Sequence, residues 1–223
     1  MRISKGDIFE RVFVNEPVNL CIEQEADSRV KIHVINMPSI VNDDQSSINR
    51  SIVNRQIVNS ISVTHLGENC STEIYALAFL HGTDAVTTET QVHHAVGGGT
   101  STQLIKFVLD DNSRGRFIGD LNIAPDAQHT EAHQTNRNLL LSDTAEMRTQ
   151  PQLEIYADDV KASHGASTGQ LDESALFYMQ QRGISKNKAR QLLVNAFMQE
   201  ILDKISDEEM RERLLDSINS IVQ

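Results

Sequence analysis

The stretch "YADDVKASHGASTGQLDESALFYMQQRGIS", residues 156–185, marks a change in the local pattern of the chain. Up to Gly169 the sequence is typical of short strands separated by turns. Beyond it, Asp172 precedes a run of helix-forming residues and Gly183 follows that run, which are the usual N-cap and C′ residues of a helix. The stretch therefore predicts a boundary near residue 170, between a β domain (1–169) and a small helical domain (170–223).

Two more helices are predicted after residue 185. Ser185 is a suitable N-cap for the second helix, in which Leu192 and Ile201 belong to one apolar face at helical spacing. The segment "SDEE", residues 206–209, has the form of a capping box with Ser206 as the N-cap, and it opens the last helix.

The first part of the chain, from about residue 12 to 165, consists of short polar strands, among them "QLEIYADDVKAS" at 152–163. No helical period of 3.6 residues appears between them, which argues against βαβ units. Aromatic residues make up only 4% of the chain, which is few for a β-sandwich core, whereas small aliphatic residues suit the stacked layers of a β-solenoid. "SIVN" at 39–42 and 51–54 and "QIVN" at 56–59 hint at a repeat. This pattern leaves solenoid and sandwich equally open.

Composition and charge limit the possible partners and compartments. The chain has 223 residues, 39% of them hydrophobic and 23% charged, as in an ordinary globular protein, and a formal net charge of −11. Such a charge argues against nucleic acid and anionic membranes as partners, and no apolar run is long enough to span a bilayer. Cys21 and Cys70 do not form a disulfide framework, so we expect a cytoplasmic protein with reduced thiols.

"HTEAH", residues 129–133, is one candidate for chemistry. If it forms a strand, His129, Glu131 and His133 point to one side and could bind a metal ion. The alternative is a polar strand face with no ligand. In "QVHHAVGGGTS" the adjacent His93 and His94 must point to opposite faces of a strand, and the glycines at 97–99 are best explained as a turn.

Two further candidates are an acidic turn and a single histidine. Asp110 and Asp111 could provide the paired acids of a β-helix carbohydrate-active enzyme, although the segment "DDNSRG" is also ordinary turn chemistry. His164 could be functional, but a lone histidine beside a strand is more often a surface or capping residue. The residues alone leave these alternatives open.

Two segments resemble a known family. The run "PQLEIYADDVKASHGASTGQLDESALFYMQQRGIS" (151–185) resembles the signature of the SufB/SufD family of iron–sulfur cluster assembly proteins, in particular its SufD branch. The run "STQLIKFVLDDNSRGRFIGDLNIAPDAQHTEAHQTNRNLLLS" (101–142) resembles the strand region of the same family. The resemblance implies a mainly β fold, a right-handed parallel β-helix (β-solenoid) followed by a small C-terminal α-helical domain. Family members usually carry a helical N-terminal domain, whereas this sequence begins almost directly in strands, so we expect a shortened chain or a short homologue.

The resemblance also implies a function and partners. It predicts a scaffold subunit of the SUF complex that is not an enzyme, pairs with SufB side by side through the β-helices, and docks the SufC ATPase through the C-terminal helices. Isolated, the chain should form a homodimer because an uncovered sheet edge seeks a partner. The residues expected to reach the ATPase, or to support the helices that do, are Phe197, Ile201, Met210 and Leu214.

The family pattern "DDVKCSHGA" places a cysteine where this chain has Ala162, while His164 matches the family histidine at the SufB–SufD interface. Without that thiolate the chain lacks a soft ligand for iron. We therefore expect any iron–sulfur cluster to be transient and shared with the partner, with His164 as one possible ligand, and no cluster in the isolated chain.

Overall fold

The computed structural model describes residues 1–38 and 55–221 of the chain. Strands fill most of the chain up to residue 169, and helices follow. The strands are β1 (Arg2–Ile3), β2 (Ile8–Val14), β3 (Asn19–Gln24), β4 (Arg29–Asn36), β5 (Gln56–His65), β6 (Ser71–Leu80), β7 (Ala85–His94), β8 (Thr100–Leu109), β9 (Arg114–Ile123), β10 (Glu131–Leu140), β11 (Glu146–Ile155) and β12 (Lys161–Gly169). The helices are α1 (Glu173–Gln181), α2 (Lys186–Leu202) and α3 (Glu208–Ile221).

The strands alternate between two parallel sheets. Sheet 1 has the order β1-β3-β5-β7-β9-β11 and sheet 2 the order β12-β10-β8-β6-β4-β2. Gln56 lies opposite Ala85, and Ala85 opposite Arg114, so one coil of this region takes 29 residues. The predicted fold class, a parallel β-solenoid followed by C-terminal helices, is confirmed. The "SIVN" segments at 39–42 and 51–54 lie outside the described residues.

The space between the two sheets is filled by the inward side chains of each strand. In β5, for example, Ile57, Ile61 and Val63 are buried, whereas Val58 and Ser62 reach the surface. The largest members of this core are Phe107 on sheet 2 and Phe117 on sheet 1, with relative exposures of 1% and 0%. Each coil therefore buries its inward residues against the coils on either side.

One corner of the solenoid repeats the same backbone conformation from coil to coil. Asp27, Asn69, Gly98 and His129, each two residues before a strand of sheet 2, have φ angles of 61°, 57°, 72° and 61°. Asn and Asp tolerate this left-handed region better than other residues, and Gly has no side chain to clash there. His129 thus belongs to a structural corner rather than to a strand.

The glycine turn at 97–99, which includes Gly98 of this corner, is tightly packed. A Cβ atom on Gly99 would lie 2.8 Å from Nδ1 of His65 and 3.0 Å from Nδ1 of His94, both of which are fully buried. Only glycine fits at this position without displacing an imidazole ring. The turn predicted from the sequence is present, and it is closely packed.

The outer face of sheet 2 is apolar, and helices α2 and α3 cover it. The shared buried cluster includes Ile35, Tyr75, Leu77, Phe79, Leu104, Val108 and Leu139 from the strands and Val194, Met198, Ile201, Leu202, Ile205, Leu214 and Ile218 from the helical region. The helices therefore share a hydrophobic core with the solenoid. The division into domains 1–169 and 170–223 stays a prediction, although the last strand ends at Gly169 and the first helix begins at Glu173.

A buried lysine fastens α2 to this face. Lys106 on β8 is 2% exposed, and its ammonium group donates to the carbonyl of Phe197 at 2.7 Å and to the carboxylate of Glu200. Burial lowers the pKa of Lys106, and the hydrogen bond from Lys106 lowers the pKa of Glu200. Arg137 also binds Glu200, at 3.1 Å. The charge is thereby paired on a largely apolar surface.

The helix boundaries agree with the sequence predictions at two of three starts. Asp172 caps α1 by accepting a hydrogen bond from the backbone N–H of Ser174, and Ser185 caps α2. The prediction that Ser206 caps α3 is wrong, since Asp207 accepts from the N–H of Met210 and Ser206 instead accepts from Lys31. In the described part of the chain no helix is long and apolar enough to cross a bilayer.

Candidate functional site

The two strands of the last coil, β11 and β12, form an end of the solenoid that we call the open end. Each has a hydrogen-bonded neighbour on one side only, so its other edge carries free backbone N–H and C=O groups. The inward side chains of β12 are small or polar, and most are exposed because no further coil covers them in the described structure. They are Ala162, His164, Ala166 and Thr168.

His164 is the fourth residue of β12 and lies on the inward side of that strand. The register shows this, because it stands opposite the buried Gln134, as Ala162 stands opposite the buried Ala132. The imidazole is exposed and makes no hydrogen bond within the residues that the structure describes. It is therefore available to a metal ion or to a partner chain at the open end. The role itself stays a prediction.

Ala162, where the family pattern has a cysteine, is partly buried and packs against the core between the sheets. The side chain at this position lies on the same inward face of β12 as that of His164, two residues further along the strand. This chain thus offers one imidazole and no thiolate at the open end. Such a donor set fits a ligand shared with another chain, and on its own it does not make a cluster site.

The "HTEAH" residues do not act together. His129 lies in the corner before β10 and pairs with Asp159, its Nδ1 lying 2.9 Å from a carboxylate oxygen. The interpretation that places His129 on the same strand face as Glu131 and His133 is therefore wrong. His133 contacts Ser163 at 2.8 Å and Glu131 at 3.2 Å. Across residues 1–38 and 55–221 the structure contains no group of three His, Cys, Asp or Glu side chains placed to hold a metal ion.

Two histidines form a buried pair inside the solenoid that the sequence did not predict. His65 and His94 lie on successive coils in an edge-to-face arrangement, with ring centroids 4.3 Å apart, and both are 0% exposed. Burial lowers the pKa of His94 to about 4 and that of His65 well below its usual value. Both rings are therefore neutral at neutral pH. The signal that could have found them is their spacing of one coil, which requires the 29-residue register.

The hydrogen bonds around His65 fix its tautomer. The amide nitrogen of Gln24 donates to the carbonyls of Ser28 and Ser71, so the amide oxygen is the acceptor for the Thr72 hydroxyl. The Thr72 proton is then in use, and Nε2 of His65 must donate to the Thr72 oxygen, 2.8 Å away. Nδ1 of His65 is left unprotonated against Gly99. His93 and His94 point to opposite faces of β7, as predicted, and the outward His93 contacts Asn122.

The acidic turn has structural partners. A carboxylate oxygen of Asp111 accepts from the N–H of Gly82 at 3.0 Å, and Asp110 lies 3.4 Å from the guanidinium of Arg190 on α2. Both acids thus support the turn and the docking of a helix. Cys21 and Cys70 are free thiols, the first exposed and the second buried, and burial raises the pKa of Cys70.

The predicted ATPase-docking residues divide into two groups. Ile201 and Leu214 are buried against sheet 2, with exposures of 0% and 4%, while Phe197 and Met210 are partly buried at its edge. Among the helix residues whose burial is described, the large apolar side chains most exposed to solvent are Phe177, Tyr178 and Leu192, with exposures of 64%, 59% and 40%. The sequence analysis did not select these three as docking candidates.

A parallel β-solenoid whose last coil is uncovered, followed by three helices that pack on one sheet, is the structural class to which this chain belongs. Residues 18–197 match the family described as SUF system FeS cluster assembly, SufBD core domain. The chain therefore belongs to the SufB/SufD family of iron–sulfur cluster assembly proteins. Its resemblance to the SufD branch is supported by the relatives described next.

The chain is 40% identical over 152 residues to the iron–sulfur cluster assembly protein SufD of Escherichia coli, covering 68% of this chain and 36% of the relative. It is 37% identical over 160 residues to an iron–sulfur cluster assembly SufBD family protein of Synechocystis, covering 72% of this chain and 35% of the relative. A SufBD family protein of Mycobacterium leprae is 34% identical over 167 residues, which cover 71% of this chain and 43% of the relative. The matches thus span less than half the length of these relatives.

Proposed function

We propose that this chain is a scaffold subunit of a SUF-type assembly complex and has no catalytic centre of its own. In this proposal it pairs with a SufB-like protein through the open end and docks a SufC-like ATPase through its C-terminal helices. The observation that carries the proposal is the open end, where two adjacent strands leave their edges unpaired beside exposed core-facing residues. Membership of the SufB/SufD family and the SufD relatives support the choice of partners.

Pairing at the open end is favoured by both backbone and side chains. Strands β11 and β12 offer two parallel rows of hydrogen-bonding groups, and Ile155 and Tyr156 add exposed apolar surface, at 42% and 60% exposure. A partner that extends both sheets would satisfy the backbone groups and bury these side chains together. When no SufB-like partner is present, a second copy of the chain can use the same edges to form a homodimer.

The pairing is tested by co-purification with a SufB-like protein and by light scattering of the isolated chain. Tyr156→Glu should weaken both associations at least about tenfold, because it places a charge in the buried part of the interface. Leu66→Glu is the matched control, since Leu66 is an exposed apolar residue (43%) in the turn after β5, away from the open end. Equal binding by the two variants, or a wild-type chain that stays monomeric and binds no SufB-like protein, would contradict the proposal.

Iron–sulfur cargo would be shared across this interface. His164 supplies one imidazole ligand and the partner supplies thiolates, because this chain has alanine at position 162. The cluster is then transient cargo of the complex. The isolated chain, purified aerobically, should contain no stoichiometric iron or sulfide, and His164→Ala should lower the iron content of the complex without breaking it. Stoichiometric cluster in the isolated His164→Ala variant would refute this role.

Docking of the ATPase is assigned to the exposed apolar residues of α1 and α2, with the buried Ile201 and Leu214 supporting those helices. Phe177→Glu should abolish co-purification with a SufC-like ATPase, while the Leu66→Glu control retains it. Point variants are needed because removal of all residues after 169 would expose the apolar outer face of sheet 2. Retention of the ATPase by variants with charges at Phe177, Tyr178 and Leu192 would place the docking surface elsewhere.

A further inference from the structure

Three polar residues occupy the same inward position on successive strands of sheet 2. Gln103 on β8 stands opposite Gln134 on β10, and Gln134 stands opposite His164 on β12. The two glutamines are each 1% exposed, whereas His164 lies at the open end. The buried polar stack thus leads directly to the imidazole that the proposed function uses.

The hydrogen bonding of this stack is incomplete. The amide nitrogen of Gln134 donates to the amide oxygen of Gln103 at 3.4 Å. The amide oxygen of Gln134 has no hydrogen-bond partner in the described structure, although it is buried. An unsatisfied buried acceptor is unfavourable, so a donor close to it gains more than a donor at the surface does.

The position of the Gln134 side chain is fixed on two sides. A Cβ atom on Gly119, across the core on β9, would lie 2.4 Å from the amide nitrogen of Gln134. Gln103 receives the hydrogen bond on the side of the preceding coil. The remaining neighbour in the stack, on the side of the open end, is His164.

We propose that Gln134 is the positioning residue for His164. The two groups are not bonded in the described structure. When the exposed ring of His164 turns toward β10, the amide oxygen of Gln134 accepts a hydrogen bond from one ring N–H of the imidazole, so that the other ring nitrogen is unprotonated and faces the open end. A neutral imidazole has one donor and one acceptor nitrogen, and a metal-binding histidine commonly donates its N–H to a carbonyl oxygen in this way. The inference rests on the proposed function, because the binding of iron–sulfur cargo by His164 is part of that proposal. The proposed hydrogen bond joins two residues of this chain and can be tested without a partner.

The test is nuclear magnetic resonance of the full chain with ¹⁵N-labelled histidine, at a pH at which the imidazole is neutral. The ring N–H of His164, assigned from a His164→Gln spectrum, should be visible and protected from exchange with water. In Gln134→Met, which keeps side-chain length and removes both amide groups, this signal should disappear and the ratio of the two tautomers should change about fivefold. A wild-type chain with no observable His164 ring N–H would overturn the proposal even if the variant did not fold.

Asn136→Leu is the matched control. Asn136 lies on the same inward face of β10, is 0% exposed and loses its own amide bonds, but it stands opposite Ala166 rather than His164. It should lower stability while leaving the His164 signal in place. Loss of the signal in both variants would show a general disturbance of the open end and would refute the positioning role.

A second measurement separates this inference from the proposed function. In the complex with a SufB-like partner, Gln134→Met should lower iron affinity about tenfold, the size typical of losing a group that orients a metal ligand. If the N–H signal behaves as expected and His164→Ala leaves iron binding in the complex unchanged, the positioning stands and the ligand role of His164 fails. If His164→Ala lowers iron binding and the signal is absent, the positioning role is wrong.

Discussion

The two ends of the solenoid are finished in different ways. At the first end, the inward residues of β2 include Phe13, 6% exposed, and Phe9, which packs on the same core, and the guanidinium of Arg11 lies 4.5 Å from the Phe13 ring centroid. At the open end the corresponding inward residues are small or polar, and all but the partly buried Ala162 are exposed. Large aromatic rings close a core without help from another chain, whereas alanine and histidine leave room for one. The difference agrees with the proposed pairing at the open end.

The largest expected effect tests this difference directly. Phe13→Ala should lower the free energy of unfolding by about 3–4 kcal/mol, because it removes a buried ring from the first end. His164→Ala at the open end should change it by no more than about 1 kcal/mol, since that side chain is exposed and can lose only the single hydrogen bond to Gln134 proposed above. Urea denaturation at low protein concentration measures both. Similar losses for the two variants would mean that the open end is as well packed as the first end.

The core between the sheets and the interface between sheet 2 and the helices should also lose stability in acid. Burial lowers the pKa of His94, between the sheets, and of His33, under the helices, to about 4. Nearby Lys31 contributes to the lowering at His33, and Glu10 opposes it. The unfolded chain therefore binds more protons between about pH 6.5 and pH 4, so stability is full above that range and is lost as pH falls through it.

Each histidine should contribute roughly 3 kcal/mol to this loss. Urea denaturation at several pH values between 7.5 and 4 gives the change in the free energy of unfolding with pH. In His94→Asn this change should be smaller than in wild type by the contribution of one histidine. Leu66→Glu provides a baseline, since it leaves both histidines in place. An unchanged dependence of stability on pH in His94→Asn would show that this ring is not kept neutral by the folded structure.

The smallest expected change in stability comes from alanine substitution of two glycines. Gly99→Ala should cost about 1–3 kcal/mol, because its Cβ would press on the rings of His65 and His94. Gly165→Ala, on β12, should change stability by less than about 0.5 kcal/mol, since a Cβ there meets no atom within 4 Å. Thermal unfolding of both variants is sufficient. A Gly165→Ala variant that unfolds as readily as Gly99→Ala would indicate that the open end is covered, for example by a second copy of the chain.

Local features were predictable from the sequence, and features that depend on the register between coils were not. The change from strands to helices after residue 169 and the caps Asp172 and Ser185 depend on a few adjacent residues, and the structure has them. Strand patterns alone could not separate a solenoid from a sandwich, because inward and outward residues alternate in both. The resemblance to the SufB/SufD family decided that question.

The errors have similar causes. The segment 152–163 was predicted as one strand, but β11 ends at Ile155 and β12 begins at Lys161, because the polar residues between them form a corner. The face of α2 was misplaced, since Leu192 is exposed while Gln191 and Val194 are buried. The sheet beneath the helix, with Lys106 in it, decides which residues face inward. The stack from Gln103 to His164 could not be predicted either, because it depends on the register between coils.

The helices that cover sheet 2 impose an order on how the protein is made. They bind strands that precede them by many residues: Lys31 contacts Ser206, 175 residues later, and Lys106 contacts Phe197, 91 residues later. During synthesis, β4, β6 and β8 leave the ribosome well before α2 and α3 exist. Their apolar outer face therefore stays exposed to solvent until the last part of the chain emerges. The nascent solenoid is most prone to aggregate during that interval.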